Sequence, residues 1–298
     1  MKAFSGMFAA SMVVLSVWAA EGLRTENADN AATSLYSQSA GQIIRKTLAA
    51  CVSSPKREAL CSERENLSYL LLDTNTGAVL AADWANSESP IPLGSLVKPF
   101  TALAYGEKHE FRYPAHNCRG TSSGCWLPRG HGQIGLQTAI ADSCNSYFRM
   151  LAVDMSASDV LSVTRSFRLQ SPNPNAYETD LIGLGTRWLI SPLAMAQAYA
   201  ELTRRSDQPG VREILAGMAL SGRQGTGAEV DRALKHASAL VKTGTAVCTH
   251  AKRAPGDGFA VAVLPAENPE ILLMVRVHGI PGSHAARIAG EMLGEVAE

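Results

Sequence analysis

The sequence carries no surplus of charge of either sign, because 27 Lys and Arg offset 27 Asp and Glu among 298 residues. Without a basic field nothing is available to hold a phosphate backbone, so nucleic acid is excluded as the expected partner. Charged residues are scarce at 18% and aromatic ones at 6%, whereas hydrophobic ones reach 46%, enough to build a buried core. Internal repeats are missing, and the 14 prolines are scattered rather than clustered, which argues against low complexity, collagen and general disorder. The length suits one large domain or two small ones.

One long apolar run stands at the very start. Lys2 precedes Ala3–Ala20, and charge returns at Glu21 and Arg24. That order is the pattern of a secretory signal peptide, with cleavage expected after Ala19. An uncleaved anchor is the alternative, since a run of this length is near the lower limit for spanning a bilayer. Export is expected in either case, to a periplasmic or other extracytoplasmic site. Residues 1–19 are accordingly assigned to targeting, 20–64 to a helical or linker segment, and 65–298 to the functional domain.

Cysteines are also few: Cys51, Cys61, Cys118, Cys125, Cys144 and Cys248. Outside the cytosol an even count reads as disulfides. Proximity favours Cys51–Cys61 and Cys118–Cys125, each closing a short loop whose cross-link is worth about 2–3 kcal/mol. Cys144 and Cys248 are left as buried thiols or a third pair. Zinc is the competing reading, because His116 and His131 flank Cys118 and Cys125. The C-x6-C spacing is not a usual zinc knuckle, so no metal and no other cofactor is expected.

Periodicity lays out the rest. Residues 33–50 carry Leu35, Ile43, Ile44 and Leu48 at helical spacing. Tyr69–Asp73 and Ala78–Ala82 are short apolar runs around Thr74–Gly77 and predict a β-hairpin. From about residue 95 to 235 the pattern is largely helical, with loops at 113–132 and 171–176. Strand-like runs return at Ala239–Val247, Phe259–Leu264 and Ile271–Val277, and Ser283–Glu298 is amphipathic. An α+β fold follows: an antiparallel sheet built from both chain ends, flanked by helices, with an inserted all-helical lobe and a cleft at their junction.

Three short motifs bear on that cleft. Ser95-Leu-Val-Lys98, entered through Pro92-Leu-Gly94, places a hydroxyl at a helix start and an amine one turn on, the pairing of an activated nucleophile with its base. The spacing is cheap by itself, for Ser53-Ser-Pro-Lys56 repeats it in a loop. Ser143-Cys-Asn145 offers a hydroxyl that can relay a proton and an amide that can bind a carbonyl. Lys242-Thr-Gly-Thr-Ala246 lies on a predicted strand, where Lys242 and Gly244 share one face and Thr243 and Thr245 the other. Order and spacing raise the three together, since Ser143 follows Ser95 by 48 residues and Lys242 follows Ser143 by 99.

That series resembles the transpeptidase domain of penicillin-binding proteins over roughly residues 65–298. Leu70–Ala82 is similar to its opening hairpin and Pro92–Phe100 to its nucleophile helix. Asp180–Tyr199 is similar to the family's GlG…sPlqmAqaYa segment, and Gly225-Thr-Gly227 also matches. The resemblance implies that Ser95 attacks the carbonyl of a D-Ala-D-Ala peptidoglycan stem or of a β-lactam, with Lys98 as base, its pKa lowered by burial or by a positive neighbour such as Lys242. Ser143 would relay a proton to the leaving amine and Asn145 would bind the substrate amide. Lys242, Thr243, Gly244 and Thr245 would hold the substrate carboxylate and backbone, with the N–H groups of Ser95 and Thr245 as oxyanion hole. Implied partners are stem peptides, β-lactam inhibitors and a cell-envelope protein. Val241 stands where the family usually has Gly, which is expected to alter strand packing rather than chemistry. Glu178 lacks the surroundings of a water-activating acid, which favours a transpeptidase or carboxypeptidase. A β-lactamase, including one using a carbamylated lysine, and a binding sensor without turnover are the other readings.

Overall fold

A computed structural model describes residues 34–52, 58–249 and 254–297. The expected signal segment and the second Ser-Ser-Pro-Lys motif at 53–56 lie outside the described residues. Ser34 accepts the amide hydrogen of Ser37 and caps α1 (Leu35–Ala49), whose buried Ala40, Ile44 and Leu48 recur at helical spacing. The turn after it is joined to α2 (Glu58–Ser62) by the Cys51–Cys61 disulfide, with Cα atoms 5.1 Å apart, as proximity predicts.

The hairpin is present as β1 (Leu67–Asp73) and β2 (Val79–Asp83). Asp73 Oδ1 accepts the Thr76 amide hydrogen at 2.8 Å, and Gly77 takes φ +72° to close the turn. The long insertion then supplies α3 (Lys98–Lys108), β3 (His116–Cys118), β4 (Gly132–Ile134), α4 (Leu136–Ala141), α5 (Asn145–Ala152), α6 (Leu161–Ser166) and α7 (Glu178–Leu181). It ends with α8 (Pro192–Arg204), α9 (Val211–Gln224) and α10 (Ala228–Leu234). The chain returns to the sheet through β5 (Leu240–Ala246), β6 (Asp257–Leu264) and β7 (Ile271–His278), and α11 (Gly282–Leu293) follows.

All five strands pair antiparallel in the order β2-β1-β7-β6-β5, so the two chain ends meet at the β1–β7 pairing. Both faces of the middle strands are covered. Leu70, Leu72, Val261, Val263, Leu272 and Met274 pack toward the insertion. Leu71, Ala260, Ala262, Leu273 and Val275 pack against α1, α10 and α11. Burial on both faces explains why these strands read as continuous apolar runs instead of alternating ones.

Two details differ from expectation. The insertion is not wholly helical, because β3 and β4 pair as a short antiparallel ribbon, with Cys118 opposite Gly132, inside the Gly-rich stretch expected to be loop. Cys118 and Cys125 are not joined by a disulfide, and both remain free thiols. No described helix is long and apolar enough to cross a membrane.

Candidate active site

Backbone contact between the insertion and the sheet edge sets the first wall of the cleft. Gly94 takes φ +59°, and a Cβ there would lie 2.3 Å from the Thr245 carbonyl oxygen, so only glycine lets this turn lie against β5. Gly94–Val97 is a 3₁₀ turn that feeds α3 at Lys98. At three residues per turn, Ser95 and Lys98 stack on one side. Pro99 is harmless so early in a helix. Tyr199 Oη donates to the Leu96 carbonyl at 2.8 Å and Thr101 donates to the Leu181 carbonyl, which fixes the turn from beneath.

β5, at the end of the sheet, continues this wall. Gly244 faces Leu93, whose carbonyl oxygen would meet an added Cβ at 2.7 Å. On the alternate positions Thr243 Oγ1 donates to Thr226 Oγ1 at 2.6 Å, and Thr245 Oγ1 accepts the Gly282 amide hydrogen at 2.9 Å. Val241 is fully buried and fills the space a side chain at Gly227 would take, its Cγ1 only 2.3 Å from that Cβ position. The unusual residue before Lys242 is thus absorbed by packing.

The second wall is a helix end. At the close of α4 the Cys144 amide donates to the Ala139 carbonyl and the Ser143 amide to the Ile140 carbonyl, with Ser143 left-handed at φ +50°. This is a Schellman turn with serine where glycine is usual, at a cost of about 1–2 kcal/mol. It turns Ser143 and Asn145 back toward α3. Lys98 Nζ donates to the Ser143 carbonyl at 2.8 Å and to Asn145 Oδ1 at 2.6 Å, and lies 3.4 Å from Ser143 Oγ. From the sheet, Lys242 Nζ donates to Ser143 Oγ at 2.9 Å and to the Thr243 carbonyl at 2.7 Å.

Neither ammonium has a carboxylate partner in this network, and both lysines are fully buried. Burial brings Lys98 down to about 7, with Arg149 pushing the same way and the Cys144 and Cys125 thiols opposing. Lys242 is lowered by burial and then by Lys98. Of the two expected causes, burial is the leading one at Lys98. A neutral Lys98 uses two N–H bonds on Ser143 and Asn145 and keeps a lone pair for a hydroxyl proton.

Ser95, Ser143, Asn145, Thr243, Gly244 and Thr245 all line one cleft of about 410 Å³. Trp126, Leu184, Thr226 and Pro281–Ser283 complete it; they carry no acid–base signature, and the sequence marks only Leu184 and Thr226, as parts of Asp180–Tyr199 and Gly225-Thr-Gly227. Trp126 is half exposed and donates its indole N–H to the Asp142 carbonyl at 3.1 Å. Glu178 opens α7 and does not line the cleft. Ser95, the Ser143–Asn145 turn and Thr243–Thr245 are thus brought to one place from three separate segments, with the buried Lys98 and Lys242 both on Ser143.

Behind the second wall lies a cluster of sulfur and imidazole. Cys118 Sγ and Cys125 Sγ lie 3.5 and 3.4 Å from His131 Nδ1, and Cys125 Sγ lies 3.7 Å from Cys144 Sγ. These four donor atoms all fall within 4.8 Å of one another, a set able to hold a metal ion. Burial alone would raise the Cys118 thiol, yet hydrogen bonds from the Gly120 and His131 backbones and the His131 ring hold it well below the usual range. Burial raises Cys144. His116 is not part of the cluster and bonds Ser146 Oγ at 2.7 Å.

The sequence pattern of the penicillin binding protein transpeptidase domain matches residues 67–297. No curated protein matches the chain. Among solved structures, penicillin-binding protein 2 of Pseudomonas aeruginosa superposes with a TM-score of 0.67 at 18% identity, covering 86% of this chain and 73% of that one. Penicillin-binding protein 2 of Helicobacter pylori, in complex with MreC, gives 0.62 at 18% identity, with 79% and 62% covered, so this chain spans less than two thirds of that protein. The transpeptidase domain of Burkholderia pseudomallei penicillin-binding protein 3 gives 0.62 at 18%, with 86% and 93% covered. At such identities the likeness is one of fold.

Proposed function

The chain belongs to the penicillin-binding protein transpeptidase domain family, and we propose that it is an exported serine acyl-enzyme acting on D-Ala-D-Ala peptidoglycan stem peptides. The observation that carries this reading is the convergence of Lys98 and Lys242 on Ser143, with Asn145 accepting from the same Lys98, at the wall of a cleft that Ser95 lines. Ser95 gives its proton to neutral Lys98 as Oγ attacks the stem carbonyl. The N–H groups of Ser95 and Thr245 take the developing oxyanion, a term of about 3–4 kcal/mol per donor. Ser143, held by Lys242, passes a proton to the departing D-alanine amine. Thr243 and Thr245 hold its carboxylate, and Asn145 holds the stem amide. An acceptor amine (transpeptidation) or water (carboxypeptidation) then frees Ser95. A penicillin would acylate the same oxygen.

The Cys51–Cys61 cross-link supports work in an oxidising compartment. A cell-envelope partner is supported by the MreC complex of the Helicobacter relative. The deciding experiment is labelling with a fluorescent penicillin. Stable label is expected on the native chain and on Ser53→Ala, with none on Ser95→Ala. Label shed within seconds would make the chain a β-lactamase, and lasting label without turnover of stem peptides would make it a sensor. Labelling that survives Ser95→Ala would end the proposal.

A further inference from the structure

The sulfur and imidazole cluster has no part in the chemistry above, yet it is built into the loop that carries that chemistry. Cys144 stands between Ser143 and Asn145, and Cys125 precedes the cleft residue Trp126. The β3–β4 ribbon, with Cys118 opposite Gly132, carries Cys118 and His131 to the same end. All three thiols are buried.

Distances discriminate between the uses of such a cluster. A disulfide needs sulfurs about 2.05 Å apart, and Cys125 Sγ and Cys144 Sγ stand 3.7 Å apart. In a tetrahedral zinc centre, Zn–S near 2.3 Å and Zn–N near 2.0–2.1 Å place two sulfurs about 3.8 Å apart and a sulfur and a nitrogen about 3.6 Å apart. The observed S···S separation of 3.7 Å and S···N separations of 3.4 and 3.5 Å fit that polyhedron. One pair of cysteines in this chain is already oxidised, at Cys51–Cys61. Thiols as close as Cys125 and Cys144 would follow in the same compartment unless something held them apart.

We propose that Cys118, Cys125, His131 and Cys144 bind one soft divalent cation, zinc by preference, and that this centre is an oxidisable clasp on the Ser143–Asn145 turn. Thiolate and imidazole donors select zinc over magnesium or calcium. The spacing C-x6-C-x5-H-x12-C hid the site from a knuckle-based reading. Loss of the cation leaves Cys125 and Cys144 free to react with an external disulfide: a new Sγ–Sγ bond forms and the reagent's S–S bond breaks. The two electrons leave with the reagent as two thiols, which take their protons from solvent, and the metal departs. Closing the bond draws Cys144 toward Cys125 and takes Ser143 and Asn145 off Lys98.

The test is made on the purified, reduced full chain loaded with zinc and then exposed to oxidised glutathione. About one zinc per chain by elemental analysis is expected, released in step with a Cys125–Cys144 peptide cross-link found by mass spectrometry. Cys118→Ser and His131→Ala should lower the zinc content, while Cys248→Ser should keep both the zinc and its release. Penicillin labelling of Ser95, a readout that rests on the function proposed above, should slow on the order of 10²-fold on oxidation and recover with reductant plus zinc. Less than a fifth of an equivalent of zinc after loading, or Cys125–Cys144 formation that leaves labelling at full speed, overturns the proposal. Zinc uptake by a chain that penicillin never labels would overturn the function instead and leave the metal centre standing.

Discussion

The two walls of the cleft are made in different ways. On one side β5 and the Gly94–Val97 turn sit in a hydrogen-bonded sheet and touch backbone to backbone, through Gly94 on Thr245 and Gly244 on Leu93. On the other, Ser143 and Asn145 hang from a strained helix end, held by Lys98, Lys242 and the thiol cluster. The first wall is rigid because its neighbours cannot yield. The second is positioned by a few polar bonds, each of which a single substitution removes. Mutations on the first wall should therefore cost stability and geometry together, and those on the second should cost chemistry first.

The sharpest test of that contrast is Lys98→Met. It removes the proposed base and both bonds to the Ser143 turn, while leaving a buried side chain of similar length. Acylation by penicillin is expected to fall by about 10²–10⁴. Because a buried ammonium is lost, thermal stability should hold or rise; a large drop in Tm would show that the lysine serves the fold instead.

Titration gives the next largest effect. With Lys98 lowered to about 7, the fraction of neutral amine grows as pH rises through that value. The acylation rate constant should climb about tenfold per unit below pH 6 and level off above pH 8. Stability carries the matching sign. The unfolded lysine, at its ordinary 10.5, binds more protons than the folded one between about 7 and 10.5, so stability should increase with pH across that window. A labelling rate that is flat from pH 5 to 8 would remove Lys98 from the role of base.

The same contrast explains what the sequence disclosed. The sheet was legible because Leu67–Asp73, Asp257–Leu264 and Ile271–His278 are apolar over most of their length, and the observed strands fall within about two residues of the expected runs. Ser95, Lys98, Ser143, Asn145 and Lys242 were legible as motifs, because each pattern is cheap alone but the three in that order and spacing are not. What the sequence withheld is the stretch from Cys118 to Cys144. There the fold depends on a three-residue ribbon, left-handed glycines and sulfur contacts, none of which has a period. Gly225-Thr-Gly227 was marked only as a match, and the part Thr226 plays stayed hidden for a related reason: it lies in what the residue touches.

Gly244→Ala strikes the rigid wall. Its Cβ would come to 2.7 Å from the Leu93 carbonyl and 3.1 Å from Leu96 Cγ, so the turn carrying Ser95 must retreat from β5. A cost of about 1–3 kcal/mol in stability is expected, with acylation slowed on the order of tenfold or more. Gly132→Ala is the control, a strained glycine that belongs to neither wall. It has φ +69° but nothing within 4 Å, so only backbone strain of about 1–2 kcal/mol opposes it, and labelling should be nearly native. Equal losses of activity in the two variants would mean that the effect of Gly244→Ala does not come from its place against the Ser95 turn.

Thr226 is where the walls meet, which makes it the smallest and most discriminating test. Its hydroxyl accepts from Thr243 on β5 and donates to the Ala141 carbonyl at 3.2 Å, two residues before Ser143. Its amide donates to the same carbonyl at 3.0 Å. In Thr226→Val the amide bond survives and shape is nearly kept, so only the hydroxyl bridge is lost. About 1 kcal/mol of stability should go with it. If the bridge merely adds stability, the acylation rate will be unchanged at temperatures where the variant is folded. If it sets the distance between Thr243 and Ser143, acylation of a substrate bearing the carboxylate should fall about two- to fivefold at constant Tm-corrected folding, while one lacking the carboxylate should not change, because only the former needs both walls at once.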